Sequence, residues 1–194
     1  MITPGEIAHG IAGAARIIRF DARVHDWFDD SLTAAKRSFW GAAITLPVQL
    51  LLDLVPHGDA SGVTLGFDPV LITLDHVIAW TLYPLAAWHM ARAFGLGAYF
   101  PRYLTAYNWW NTLQLLLLAP LIALASYADP DSRATLLATV GLVYTVLYAG
   151  YAVFIARVML RAQLGHAIIL MAVDLMISQT LAQLIQAIRA GPQM

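Results

Sequence analysis

A carboxylate inside a long apolar run is the first residue of this chain that could carry chemistry. Asp174 lies about 12 Å from the start of that run, at the 1.5 Å per residue of a helix. An ionisable group in hydrocarbon is costly and needs a reason. Asn108, Asn111 and Gln114 recur at every third position early in another apolar run, at a similar depth from the same side. Together these residues could line a polar pocket or an ion path in which Asp174 carries a proton or a cation. They could also hold helices together, with Asp174 hydrogen-bonded to one of the amides. A second acidic or basic residue on a facing run, which a proton relay would need, is not evident.

The other polar positions point to contact rather than reaction. Gln179, Gln183 and Gln186 form an i, i+4, i+7 stripe beyond Asp174. Neutral amides suit a neighbouring helix or a partner protein. Gly141, Thr145 and Ala149 make a small-residue face, a helix-packing pattern, and Tyr144, Tyr148 and Tyr151 a separate aromatic stripe. That stripe reads as core packing, or as a groove for a ligand or lipid. His76 and His89 follow one another along one run as in haem-binding bundles, and His166 is placed to face His89. His76 has no partner inside a run, so interfacial histidines are the plainer reading and a haem-binding redox subunit the lesser one. The acidic pairs Asp29-Asp30 and Asp129/Asp131 fall at turns without a third ligand. Walker, HExxH and GxSxG motifs are absent. The expectation is therefore no catalytic set, no metal and no cofactor.

Composition says what must position these residues. Of 194 residues, 60% are hydrophobic and 12% charged, with a mean hydropathy of +0.67. A soluble fold of this size could not cover so much apolar side chain. A net charge of −1 gives no electrostatic case for nucleic acid. Cysteine is absent, which excludes disulfides and thiolate chemistry. An all-α polytopic bundle in a lipid bilayer follows. Apolar stretches long enough to cross predict five spans, about 38–55, 70–90, 106–127, 134–156 and 166–188, within a transmembrane domain over 36–190. Pro47, Pro84 and Pro120 lie inside them as tolerated kinks. No internal repeat is visible, which counts against an inverted-repeat transporter.

Residues 1–35 read as a cytoplasmic amphipathic segment. Thr3-Pro4-Gly5-Glu6 is a helix start with a capping box, after which Ile7, Ile11, Ala15 and Ile18 share a face. That face predicts a helix lying on the inner leaflet, or one packed on the end of the bundle. Ser31 is placed to cap a second helix leading into the first span. With five spans, all Lys and Arg except Arg133 and Arg189 fall on one side. The positive-inside rule then predicts a bacterial inner-membrane protein with its N-terminus cytoplasmic and its C-terminus outside. Trp27, Trp40, Trp88, Trp109 and Trp110 would mark the inner interface.

Local sequence adds a resemblance. Asp26-Trp27-Phe28-Asp29 precedes the first span and Ser38-Phe39-Trp40 enters it. Ala106-Tyr107-Asn108-Trp109-Trp110 opens the third, with Gln114 and Pro120 beyond, and Asp174-Leu175 lies in the fifth. This organisation resembles small bacterial Yip-like proteins of the Ypt-interacting-protein superfamily. The resemblance implies five spans and membrane organisation without catalysis, and marks Asn108 and Asp174 as positions to mutate. The leading expectation is a non-enzymatic organiser, adaptor or accessory subunit with a protein partner or self-association. The alternative is a small transporter or channel using Asp174 and the Asn108/Asn111/Gln114 row.

Overall fold

The computed structural model describes residues 2–55 and 67–190. Local sequence sets the first helix, α1 (Pro4–Ile17). Thr3 Oγ1 accepts from the Glu6 N–H at 3.2 Å, and Glu6 Oε2 accepts from the Thr3 N–H at 2.8 Å. A 3₁₀ turn (Ala22–Asp26) leads to α2 (Leu32–Ser38), capped by Ser31, whose Oγ accepts from the Ala34 N–H at 3.1 Å. Only Phe39 separates α2 from α3 (Trp40–Asp53). Then follow α4 (Pro69–Ala93), α5 (Phe100–Ser126), α6 (Pro130–Met159) and α7 (Leu164–Ala190). Gly95, at φ +73°, closes α4, and the Leu96 N–H donates to Ala91 O at 2.7 Å, the reversal that a left-handed residue permits.

Four helices are long and apolar enough to cross a bilayer: Pro69–Ala93, Gly97–Ser126, Asp131–Met159 and Leu164–Arg189. The expected first span, 38–55, is not among them, so the five-span expectation is corrected. Its helix, α3, has 14 residues. That is about 21 Å of helix against roughly 30 Å of hydrocarbon. Phe39 parts it from α2, whose last turn carries Lys36 and Arg37, so the apolar stretch cannot be lengthened in that direction.

Packing closes α3 to α7 into a ring. α3 touches α4 and α5, α4 touches α7, α7 touches α6, and α6 touches α5. α3, α5 and α7 run one way, α4 and α6 the other. Arg189 at the end of α7 pairs with Asp53 at the end of α3, at 2.7 Å and with both side chains mostly buried. α5 also carries α1 and α2 on its first turns. Every residue from Tyr103 to Trp110 is buried, because the amino-terminal collar and the ring cover all faces of that stretch.

The collar docks through small residues. Its buried face is Gly10, Gly13, Ala14 and Ile17. A Cβ at Gly10 would fall in the Trp109 ring, and one at Gly13 in the rings of Trp27 and Phe28. The expected stripe docks only in part: Ile7 and Ile11 are half-buried and pack against the core, whereas Ala15 and Ile18 are exposed. Trp27 Nε1 donates to His9 O at 2.9 Å. Arg102 of α5 donates to Phe28 O at 3.1 Å and to Asp30 at 3.0 Å. Glu6 pairs with Arg37. Trp109 is buried against Gly10 of this joint, and Trp110 is buried with its ring 4.4 Å from that of Tyr151 in α6.

Candidate functional site

Asp174 faces inward from α7, some ten residues and about 15 Å beyond Leu164. It is 2% exposed. Its expected partner was an amide of the third run; its observed partners are phenols. Tyr107 of α5 donates to both carboxylate oxygens, at 2.9 and 3.1 Å. Tyr148 of α6 donates to Oδ2 as well. Beside them, the hydroxyls of Tyr83 (α4) and Tyr103 (α5) meet at 2.5 Å, and the Tyr83 and Tyr107 rings lie 4.8 Å apart. Tyrosines from three helices thus gather round one carboxylate. The spacing of Tyr103 and Tyr107, one helical turn apart, was the available signal.

Asp174 borders a cavity of about 270 Å³ inside the ring, to which all five helices contribute. Gln49 comes from α3; Asp75, His76 and Trp80 from α4; Asn108, Asn111 and Gln114 from α5; Tyr144, Thr145 and Tyr148 from α6; Ser178 and Gln179 from α7. Asn108, Asn111 and Gln114 therefore share a cavity with Asp174, although none bonds to it. Asn108 is fully buried, and its Nδ2 donates to Ser38 Oγ at 2.9 Å. Its Oδ1 has no partner. Gln114 Nε2 donates to Asn111 Oδ1 at 2.7 Å.

His76, read from sequence as interfacial, and Asp75 beside it also border this cavity. Asp75 is half-buried, about 9 Å along α4 from Pro69. His76 is buried, with Nε2 2.9 Å from Ala42 O and its ring 5.9 Å from that of Trp80. The facing acidic residue that a single run could not reveal is thus present, on a helix of opposite direction. Among the described residues lining the cavity there is no Lys or Arg. The lining offers two carboxylates, phenols, amides and aromatic faces, a set suited to a positively charged or hydrogen-bonding solute.

The remaining expected positions separate. Gln179 reaches the cavity, whereas Gln183 and Gln186 lie exposed on α7. Gly141 is exposed with open space where a Cβ would stand, so the small-residue face packs nothing there. Thr145 Oγ1 donates to Gly141 O at 2.8 Å, and Ala149 is half-buried. Tyr151 leaves the stripe of Tyr144 and Tyr148 to stack on Phe20, centroids 4.8 Å apart. His89 is exposed and His166 stacks on Phe94 at 4.1 Å; no hydrogen bond or ring contact joins the two histidines among the described residues. No group of three His, Cys, Asp or Glu among the described residues could hold a metal ion. A second, apolar groove of about 380 Å³ runs between α5 and α6 over Leu117, Leu121, Val143 and Leu147. Gln114, Tyr144 and Tyr148 stand in the walls of both spaces.

Comparison with known proteins matches no family model, no curated protein and no solved structure, so the Yip-like resemblance gains no support from it. What stands is a helical protein with four candidate membrane spans and, between its helices, a cavity lined by both polar and apolar groups.

Proposed function

We propose that this chain is a small membrane transport protein whose solute binds in the cavity at Asp174. One observation carries the reading: a buried carboxylate borders a partly open space walled by five helices and lined by several polar groups. Placing an ionisable group there is costly, and residues that only hold helices together leave no room between them. In this reading Asp174 draws the solute in, Tyr107 and Tyr148 fix the carboxylate, and Asn111, Gln114 and Gln179 replace water around the solute. The collar end of the ring faces the cytoplasm of a bacterial inner membrane, since most Lys and Arg lie there, and α3, shorter than the four candidate spans, carries the chain inside the ring to the opposite end, where Asp53 meets Arg189.

Reconstituted liposomes test this with a panel of labelled inorganic cations, amines, sugars and carboxylates. Uptake of at least one solute is expected, with Asp174→Asn abolishing it. No uptake of any solute, or uptake unchanged by Asp174→Asn, rejects transport. The accessory-subunit reading draws support from the exposed Gln183 and Gln186 and the open Gly141. It predicts companion proteins in stoichiometric amount after purification in mild detergent.

A further inference from the structure

The chemistry of the lining narrows the kind of solute. We propose that the central cavity binds a small organic cation, a primary amine or quaternary ammonium of a few carbons; the inference rests on reading this cavity as a solute site. Asp75 and Asp174 supply negative charge, and no Lys or Arg answers it among the described lining residues. Arg189 lies within electrostatic reach of Asp75 but is already paired with Asp53, and carboxylate charge in a low-dielectric interior favours a cationic occupant.

An independent feature points the same way. Asn108 is fully buried on the cavity wall, and its Oδ1 accepts nothing. A buried acceptor left open costs free energy that an incoming N–H or polarised C–H donor restores. Donors abound in the wall, since Tyr107 and Tyr148 already point theirs at Asp174. The orphan is therefore an acceptor, which suits an ammonium and not a carboxylate solute.

The aromatic rings separate an organic cation from a metal ion. Trp80, Tyr83, Tyr107 and Tyr144 all border the cavity. Aromatic faces attract ammonium groups and cover their alkyl substituents. A bare metal ion wants several clustered oxygen ligands, and no His, Cys, Asp or Glu group of that kind exists among the described residues. A volume of about 270 Å³ sets the size limit. It lies just below the range for drug-sized ligand pockets, roughly 300 to 1,000 Å³, which suits a solute of a few carbons.

Titration of the purified full chain with methylammonium and tetramethylammonium chlorides tests this, with sodium chloride and glycerol as controls. Tryptophan fluorescence reports occupancy, and Trp80→Phe identifies the signal from the cavity wall. A saturable change is expected with at least one organic cation and with neither control. Asp174→Asn should weaken it by about tenfold or more, the effect of one lost charge contact. If that variant does not fold, Asp75→Asn carries the comparison. No saturable response to either organic cation overturns the proposal, as does an equal response to sodium chloride, or undiminished affinity in the folded carboxylate variant. The two readings fail separately. Amine binding without uptake of any solute removes transport and keeps this inference, whereas uptake of a neutral solute without amine binding does the reverse.

Discussion

Gly41 and Gly141 are the same residue type in unlike surroundings, and they give the residue scale its clearest test. A Cβ at Gly41 would run into Thr112 Oγ1 and the Trp80 ring, on the α3 side of the cavity wall. A Cβ at Gly141 would meet nothing. Gly41→Ala should therefore destabilise by about 1–3 kcal/mol, the usual range for overpacking. Gly141→Ala should be neutral or stabilise by up to about 1 kcal/mol through helix propensity. Thermal melts in one detergent check both, and equal shifts for the pair would refute the packing described for α3. Asp174 was legible in sequence because a lone carboxylate in an apolar run announces its own cost. Its phenol partners were not. Tyr107 and Tyr148 are as compatible with lipid or core as with a cavity, and only the rotation of α5 and α6 about their axes decides which. In helices apolar on nearly every side, hydropathy does not fix that rotation.

At the scale of elements, local signals read well and lengths read badly. The Thr3–Glu6 capping box needs only four consecutive residues, and it is present as expected. The docking face of α1 depended on Trp109, a hundred residues away, and the sequence pattern pointed to its neighbour instead. The stretch 38–55 is apolar enough to resemble a span, but the break at Phe39 is a backbone event that hydropathy does not record. The capping box also makes a pH prediction. The Thr3 N–H, then the Thr3 hydroxyl and Arg37, hold the exposed Glu6 carboxyl below its ordinary 4.5. A lowered carboxyl value stabilises the folded form fully above the unfolded value, and that contribution fades as pH falls through the folded one. The Thr3 amide proton, followed by NMR in nanodiscs, should titrate with a midpoint below 4.5. It should stop titrating in Glu6→Gln. A midpoint at or above that value would contradict the geometry of the cap.

For the whole molecule, the closed ring of α3 to α7 is the property that no single run could disclose. Asp75 and Asp174 lie far apart in sequence and become neighbours of one cavity only because α4 and α7 are adjacent in that ring. The proposed orientation is open to direct measurement, because a chain without cysteine accepts single reporters cleanly. Ala8→Cys in the collar and Ser132→Cys at the start of α6 are both at exposed positions. In intact cells an impermeant maleimide should label Ser132→Cys, and Ala8→Cys only after lysis. Labelling of both from one side would invert or dissolve the assignment.

The clasp of the collar on α5 also has a consequence in time. The chain completes α5 about 90 residues after it has completed α2. At ribosomal speeds of about 5–20 residues per second, α1 and α2 wait several seconds for the helix they embrace. During that interval Gly10 has no Trp109 indole to rest against, and only the Trp27 and Phe28 rings beside Gly13 are in place. The helix then depends on what it carries itself, a Thr3–Glu6 cap at one end and the stripe of Ile7, Ile11, Ala15 and Ile18 along its side. That stripe, of which Ala15 and Ile18 stay exposed in the finished joint, is the face on which a nascent α1 can lie against the bilayer until α5 arrives.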